Sequence, residues 1–209
     1  MRITILLFIA ALISGCASFK NEQVSSTDLL DLSSYQNKPS VYIDVDYKFQ
    51  DGAKVIPGGK EEITRIQADL SNFLISNNVF SEHSFKSELA YKMDYTLKVN
   101  VLNHGDLGAA SAAGFITGYS LFLIPTYATD NFTVTTELYK KGDQVSSFNE
   151  SDSMRTWFGL WFIPMMGSGD PKHVRKEVIQ NLIIRGLNDL ISGKKLEYSS
   201  LPVGGALIL

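Results

Sequence analysis

The side chains of this 209-residue chain that can do chemistry are few and scattered. Asp44 and Asp46 stand two apart, a spacing that puts both carboxylates on one face of a strand, where they can hold a cation or act as acid and base. Side by side on a wet strand, however, such a pair reads as solvated. His104-Gly105-Asp106 places an imidazole near a carboxylate, but no nucleophile can be assigned to it. His83, His104 and His173 lie far apart among polar neighbours and read as surface residues. Metal ligation needs a cluster that this spacing does not supply. HExxH, GxSxG, P-loop and GxGxxG patterns are all absent, as is any cysteine pair. The expectation is a chain with no catalytic residue, no cofactor and no metal.

One reactive group stands apart, Cys16, the single cysteine of the sequence. Before it runs Met1-Arg2 and then an uncharged apolar stretch, Ile3 to Ile13, too short to span a bilayer and shaped like an export leader. The leader closes on Ile13-Ser14-Gly15-Cys16, which resembles the lipobox of bacterial lipoproteins: an aliphatic residue, two small ones and the cysteine. The resemblance covers residues 1–16 alone. It implies a diacylglycerol on the Cys16 thiol, cleavage of 1–15, and a membrane partner held through acyl chains. An exported chain with one cysteine forms no internal disulfide, and acylation accounts for the lone thiol. Two or three acyl chains hold a protein at a bilayer almost permanently. Ala17, where an aspartate would favour the inner membrane in such lipoproteins, implies the outer membrane and a domain facing the periplasm.

The rest is long enough for one domain with its own core. With 19 basic and 22 acidic residues and no basic stripe, nucleic acid is excluded as a partner. Residues 16–40 are polar, with Leu29, Leu30 and Leu32 as their apolar group, and read as a lipidated, flexible tether. The domain is expected over 41–196 and a tail over 197–209.

Within the domain, Val41, Ile43, Val45 and Tyr47 alternate with polar residues, the period of a half-buried strand. Ile63, Ile66, Leu70, Phe73 and Leu74 then mark one face of a helix with Glu61 and Glu62 in its first turn. Tyr91 to Val101 alternates again. Phe132 to Leu138, the turn Lys140-Lys141-Gly142-Asp143 and Val145 to Met154 form a hairpin. Asp170-Pro171 opens a last helix that runs to Gly193. The order β-α-β-β-β-α predicts an α+β fold, two amphipathic helices on one face of a small mixed or antiparallel sheet. That order loosely resembles periplasmic lipoproteins such as the curli secretion channel subunit and the activators of peptidoglycan synthases, without a shared motif.

Two apolar insertions interrupt the pattern, 107–125 and 157–166. Between Asp106 and Asp130 no residue is charged. Ala110, Gly114 and Gly118 fall at steps of four, a small-residue pattern for close packing of helices. A spanning helix is rejected, because it would leave each side too few elements for a core, and Pro125 limits its length. Two readings stay open. The segments are core, or they are an exposed surface for a membrane or partner, with Phe115, Tyr119, Phe122, Trp157, Trp161 and Phe162 as the contact residues. A transmembrane β-hairpin is a lesser case, since Phe115–Ile124 lacks alternation. The functional expectation is a non-enzymatic envelope module for assembly or interaction, acting with copies of itself or another envelope protein. The alternative is a subunit of an oligomeric outer-membrane transport or secretion complex.

Overall fold

The computed structural model describes residues 15–21 and 23–199. The expected leader, except Gly15, and most of the expected tail lie outside them. The chain forms one open, mixed sheet with helices. Seven strands are present among the described residues: β1 (Cys16–Lys20), β2 (Ser40–Asp51), β3 (Lys54–Pro57), β4 (Glu82–Ser84), β5 (Tyr95–Gly105), β6 (Thr126–Lys140) and β7 (Asp143–Phe158). Their order is β1-β7-β6-β5-β2-β3, with β4 also beside β2. β2 runs parallel to β5 and to β4, and the other pairs are antiparallel. The helices are α1 (Lys60–Ser76), α2 (Leu107–Tyr119) and α3 (Pro171–Ser192), with 3-10 turns at Ser87–Lys92 and Leu160–Met165.

The core follows from two periodicities. Val41, Ile43, Val45 and Tyr47 of β2, Tyr95 to Val101 of β5, and Phe132, Val134 and Leu138 of β6 turn one face of the sheet inward at period two. Ile66, Leu70 and Leu74 of α1 and Val178, Leu182, Leu187 and Leu190 of α3 meet them in one cluster. α3 starts where its cap chemistry requires, with Pro171 in its first turn and the Asp170 carboxylate accepting from Lys172 N–H at 3.1 Å. β6 and β7 turn through Lys141 and Gly142, both at positive φ (54° and 94°), the geometry of a tight hairpin. α3 comes close to the sheet at Gly186, where a Cβ would lie 2.6 Å from Thr136 Oγ1.

Three expectations change. The element order is longer than β-α-β-β-β-α, because β1, β3 and β4 are short pairings without an alternation of their own. The apolar insertion 107–125 contains a helix, α2, capped by Asp106, whose carboxylate accepts from Ala109 N–H at 2.8 Å. Residues 16–40, expected as a flexible tether, lie against the domain. Cys16–Lys20 pairs with β7, Thr27 N–H and Leu30 N–H donate to Asn181 and Asn188 of α3 at 2.9 Å each, and Leu32 is buried. Asparagines on a helix can satisfy an extended backbone, which gives a polar stretch a fixed path without a hydrophobic pattern.

Candidate functional site

The most distinctive surface is one end of the sheet, built by the two apolar insertions. α2 buries only Ala113 and Thr117. Those two face the sheet, where Thr126 Oγ1 donates to Ala113 O at 3.0 Å and pairs with Thr117 Oγ1. The helix ends in a Schellman-type motif, with Phe122 N–H donating to Thr117 O (2.8 Å) and Leu121 N–H to Gly118 O (3.1 Å). Glycine usually fills the left-handed position of that motif, yet here Leu121 (φ 53°) occupies it and Phe122 (φ 64°) follows. Leu160 N–H then donates to Phe122 O at 3.0 Å, and Trp161 Nε1–H to Leu123 O at 3.1 Å. These bonds join the second insertion to the first.

The six aromatic residues singled out from the sequence gather at this end, in two settings. Phe115 and Tyr119 are 73% and 86% exposed and stack with ring centres 6.2 Å apart; Trp161 is 67% exposed. Phe122 and Phe162 are half-buried, and so is Trp157, which packs between Tyr127 (4.9 Å) and Phe162 (5.5 Å). Arg155 stacks over the Tyr127 ring at 4.5 Å. Leu121, Leu123, Ile124, Met165 and Met166 are also exposed. The segments are therefore adjacent and cap the sheet, yet they leave a broad apolar surface in the open. Gly114 and Gly118 have nothing within 4 Å of where a Cβ would stand, and Ala110 is only half-buried. Within the chain, their four-residue spacing serves no close packing.

Cys16 belongs to the same end. It lies opposite Phe158, and Phe158 lies opposite Thr126, so one row crosses three strands from Cys16 to the residue that holds α2. Directly opposed side chains share a sheet face, and the row is about 10 Å across at the usual strand spacing. Gly15 is buried in this corner. Its carbonyl accepts from Gly159 N–H at 3.0 Å, and a Cβ on it would meet Ile163 Cγ1 at 2.8 Å.

No family model matches the chain, and no curated protein matches it. Among solved structures, it is similar to a minor lipoprotein from Acinetobacter baumannii at 14% identity and a TM-score of 0.42, over 79% of this chain and 98% of that one. A Xanthomonas campestris protein of the DUF330 family is similar at 10% identity and a TM-score of 0.43, over 82% and 95%. A PelC dodecamer from Paraburkholderia phytofirmans is similar at 12% identity and a TM-score of 0.39, over 80% and 96%. All three likenesses are remote.

The polar residues singled out from the sequence stay apart. Asp46 pairs with Lys48 at 2.8 Å, while Asp44 is exposed on the same strand face. His173 is on α3, 3.1 Å from Glu177. His83 and His104 are half-buried. His83 Nε2 is 3.0 Å from Ser71 Oγ, its ring meets Phe85 edge-on, and burial pushes its pKa down. His104 begins a chain that sequence reasoning missed: its Nε2 is 3.1 Å from Thr133 Oγ1, which is 2.8 Å from Ser151 Oγ. These three come from three strands, and only strand register brings them together. They line a hollow of 540 Å³ on the uncovered sheet face, with Asp46, Lys48, Asn100 and Asn149. Among the described residues no three potential metal ligands converge.

Proposed function

We propose that the chain is a lipid-anchored module of the bacterial cell envelope, without enzymatic activity, acting in assembly or interaction at the outer membrane. The observation that carries this reading is the place of Cys16. The residue that the lipobox marks for acylation lies in the same three-strand row as the residue that holds α2, at the end of the domain that exposes apolar surface. Acyl chains leaving Cys16 would meet apolar side chains rather than charged ones, and their attachment would not pull a polar surface toward lipid. Ala17 favours the outer membrane. The uncovered sheet face, lined by hydroxyl, amide and charged groups, is left to face solvent or a protein partner. The reading gives the module a binding role.

The test is metabolic labelling with an alkyne palmitate, comparing the chain with Cys16→Ala. The label is expected to vanish in the variant and membrane association to weaken. A Cys16→Ala chain that still carries label would overturn the anchor.

A further inference from the structure

We infer that the end of the domain formed by α2 and the Leu160–Met165 turn enters the leaflet that holds the Cys16 acyl chains, so that lipid chains cover its exposed apolar surface. The inference rests on the lipid-anchor reading and adds a second, protein-borne contact that fixes the domain's orientation. Four observations point to lipid as the occupant.

The first is charge. No charged residue occurs between Asp106 and Asp130 or between Arg155 and Asp170, and both stretches fold to the same end. A protein partner of ordinary polarity is matched by a surface with a polar rim and scattered charge. A surface empty of charge suits hydrocarbon. The second is the helix itself, apolar on every side yet buried only at Ala113 and Thr117. A helix that is apolar all round requires cover on all sides. At 13 residues it is about 20 Å long, short of the roughly 30 Å of a hydrocarbon core, so it fits one leaflet and does not span. No described helix is long and apolar enough to cross a membrane.

The third is position. Cys16 heads the row that runs through Phe158 to Thr126, the residue that holds α2. Any acyl chain on Cys16 therefore starts beside the patch. The fourth is the arrangement of aromatic residues and charge behind the patch. Tyr127 and Trp157 stand between the exposed tip and Arg155, which stacks on Tyr127. Aromatic rings followed by a cation are the sequence of groups met on passing from acyl chains to headgroups.

The experiment uses the full lipidated chain in vesicles of phosphatidylethanolamine and phosphatidylglycerol with brominated acyl chains. The sequence has two tryptophans, so Trp157→Phe leaves Trp161 as the reporter. Trp161 emission is expected to be quenched by acyl-chain bromine and protected from aqueous iodide. Quenching by iodide without quenching by bromine overturns the inference. Protection from both places a second copy on the patch and overturns it equally. The palmitate label is read on the same preparation: a labelled chain with iodide-quenched Trp161 keeps the anchor and loses the membrane seat. An unlabelled chain that is still bromine-quenched keeps the seat and loses the anchor. Phe115→Asp in the chain with both tryptophans guards against misfolding of the reporter variant, because position 115 is open to solvent. It should leave the thermal melt unchanged and lower bromine quenching by about twofold or more; unchanged quenching would overturn the seat.

Discussion

The molecule has two apolar regions that the composition of the chain does not distinguish. One lies between the sheet and helices α1 and α3, where Leu182, Leu187, Phe132 and Val99 are almost wholly buried. The other is the end made by α2 and the Leu160–Met165 turn, where Phe115, Tyr119, Leu121 and Trp161 are two-thirds to nine-tenths exposed. They differ in periodicity. The first is written in strand and helix periods, with a polar face opposite each apolar one, so each element has something to cover and something to show. The second has no polar face at all. A segment apolar on every side finds too little partner surface in one domain of this size, and the remainder is left for something outside the chain.

The sharpest break of the comparison is a pair of large-to-small changes read by urea unfolding of the Cys16→Ala chain. Leu182→Ala, in the closed region, is expected to cost about 2–5 kcal/mol. Trp161→Ala removes a larger side chain and should cost less than about 1 kcal/mol, because that ring is mostly in the open. Equal losses would put the second region in the core. A finer pair applies one substitution to both helices. Gly186→Ala drives a Cβ to 2.6 Å from Thr136 Oγ1 and should cost about 1–3 kcal/mol. Gly114→Ala meets nothing within 4 Å and should gain about 0.5–1 kcal/mol from helix propensity. If both destabilise, the glycine spacing in α2 serves packing after all.

What is legible in the amino-acid sequence divides along the same line. The alternation in Val41–Tyr47, the β6–β7 turn at Gly142 and the Asp170-Pro171 cap each carry a local rule, and each element stands where its rule puts it. The alternation from Tyr91 to Val101 forms strand only from Tyr95, because the 3-10 turn Ser87–Lys92 takes Tyr91 out of the sheet and leaves it 80% exposed. β1 carries none. Cys16–Lys20 is a strand because Met154–Phe158 offers it an edge, and a pairing between residues more than a hundred positions apart leaves no local trace. The extended run from Thr27 to Leu32 is likewise set by Asn181 and Asn188 on α3. At the apolar end, residue types singled out rings that gather there, but hydropathy states what avoids water without stating what covers it. The exposure of Phe115 and the half-burial of Trp157 are set by tertiary packing, which residue type does not encode. The same holds for the His104–Thr133–Ser151 chain, whose members are ordinary polar residues until the register aligns them.

Leu121 makes the difference between the regions one of backbone as well as side chains. It holds the left-handed position closing α2, where a side chain costs about 1–2 kcal/mol relative to glycine, and it is 66% exposed. In the closed region such a cost would be offset by packing. Here the side chain packs on little, and within the domain alone a glycine would serve better. Leu121→Gly should therefore raise stability in detergent-free buffer by about 1 kcal/mol, measured on the Cys16→Ala chain, since the strain relieved exceeds the added freedom of the unfolded glycine. The same change removes an isobutyl group from the surface assigned to lipid, so membrane association of the unlipidated chain should weaken. Both outcomes together would mark Leu121 as a residue that serves the attached state. Were Leu121→Gly to destabilise the domain, Leu121 would be anchoring the loop to its own helix, and the contrast between the two regions would be smaller than their exposures imply.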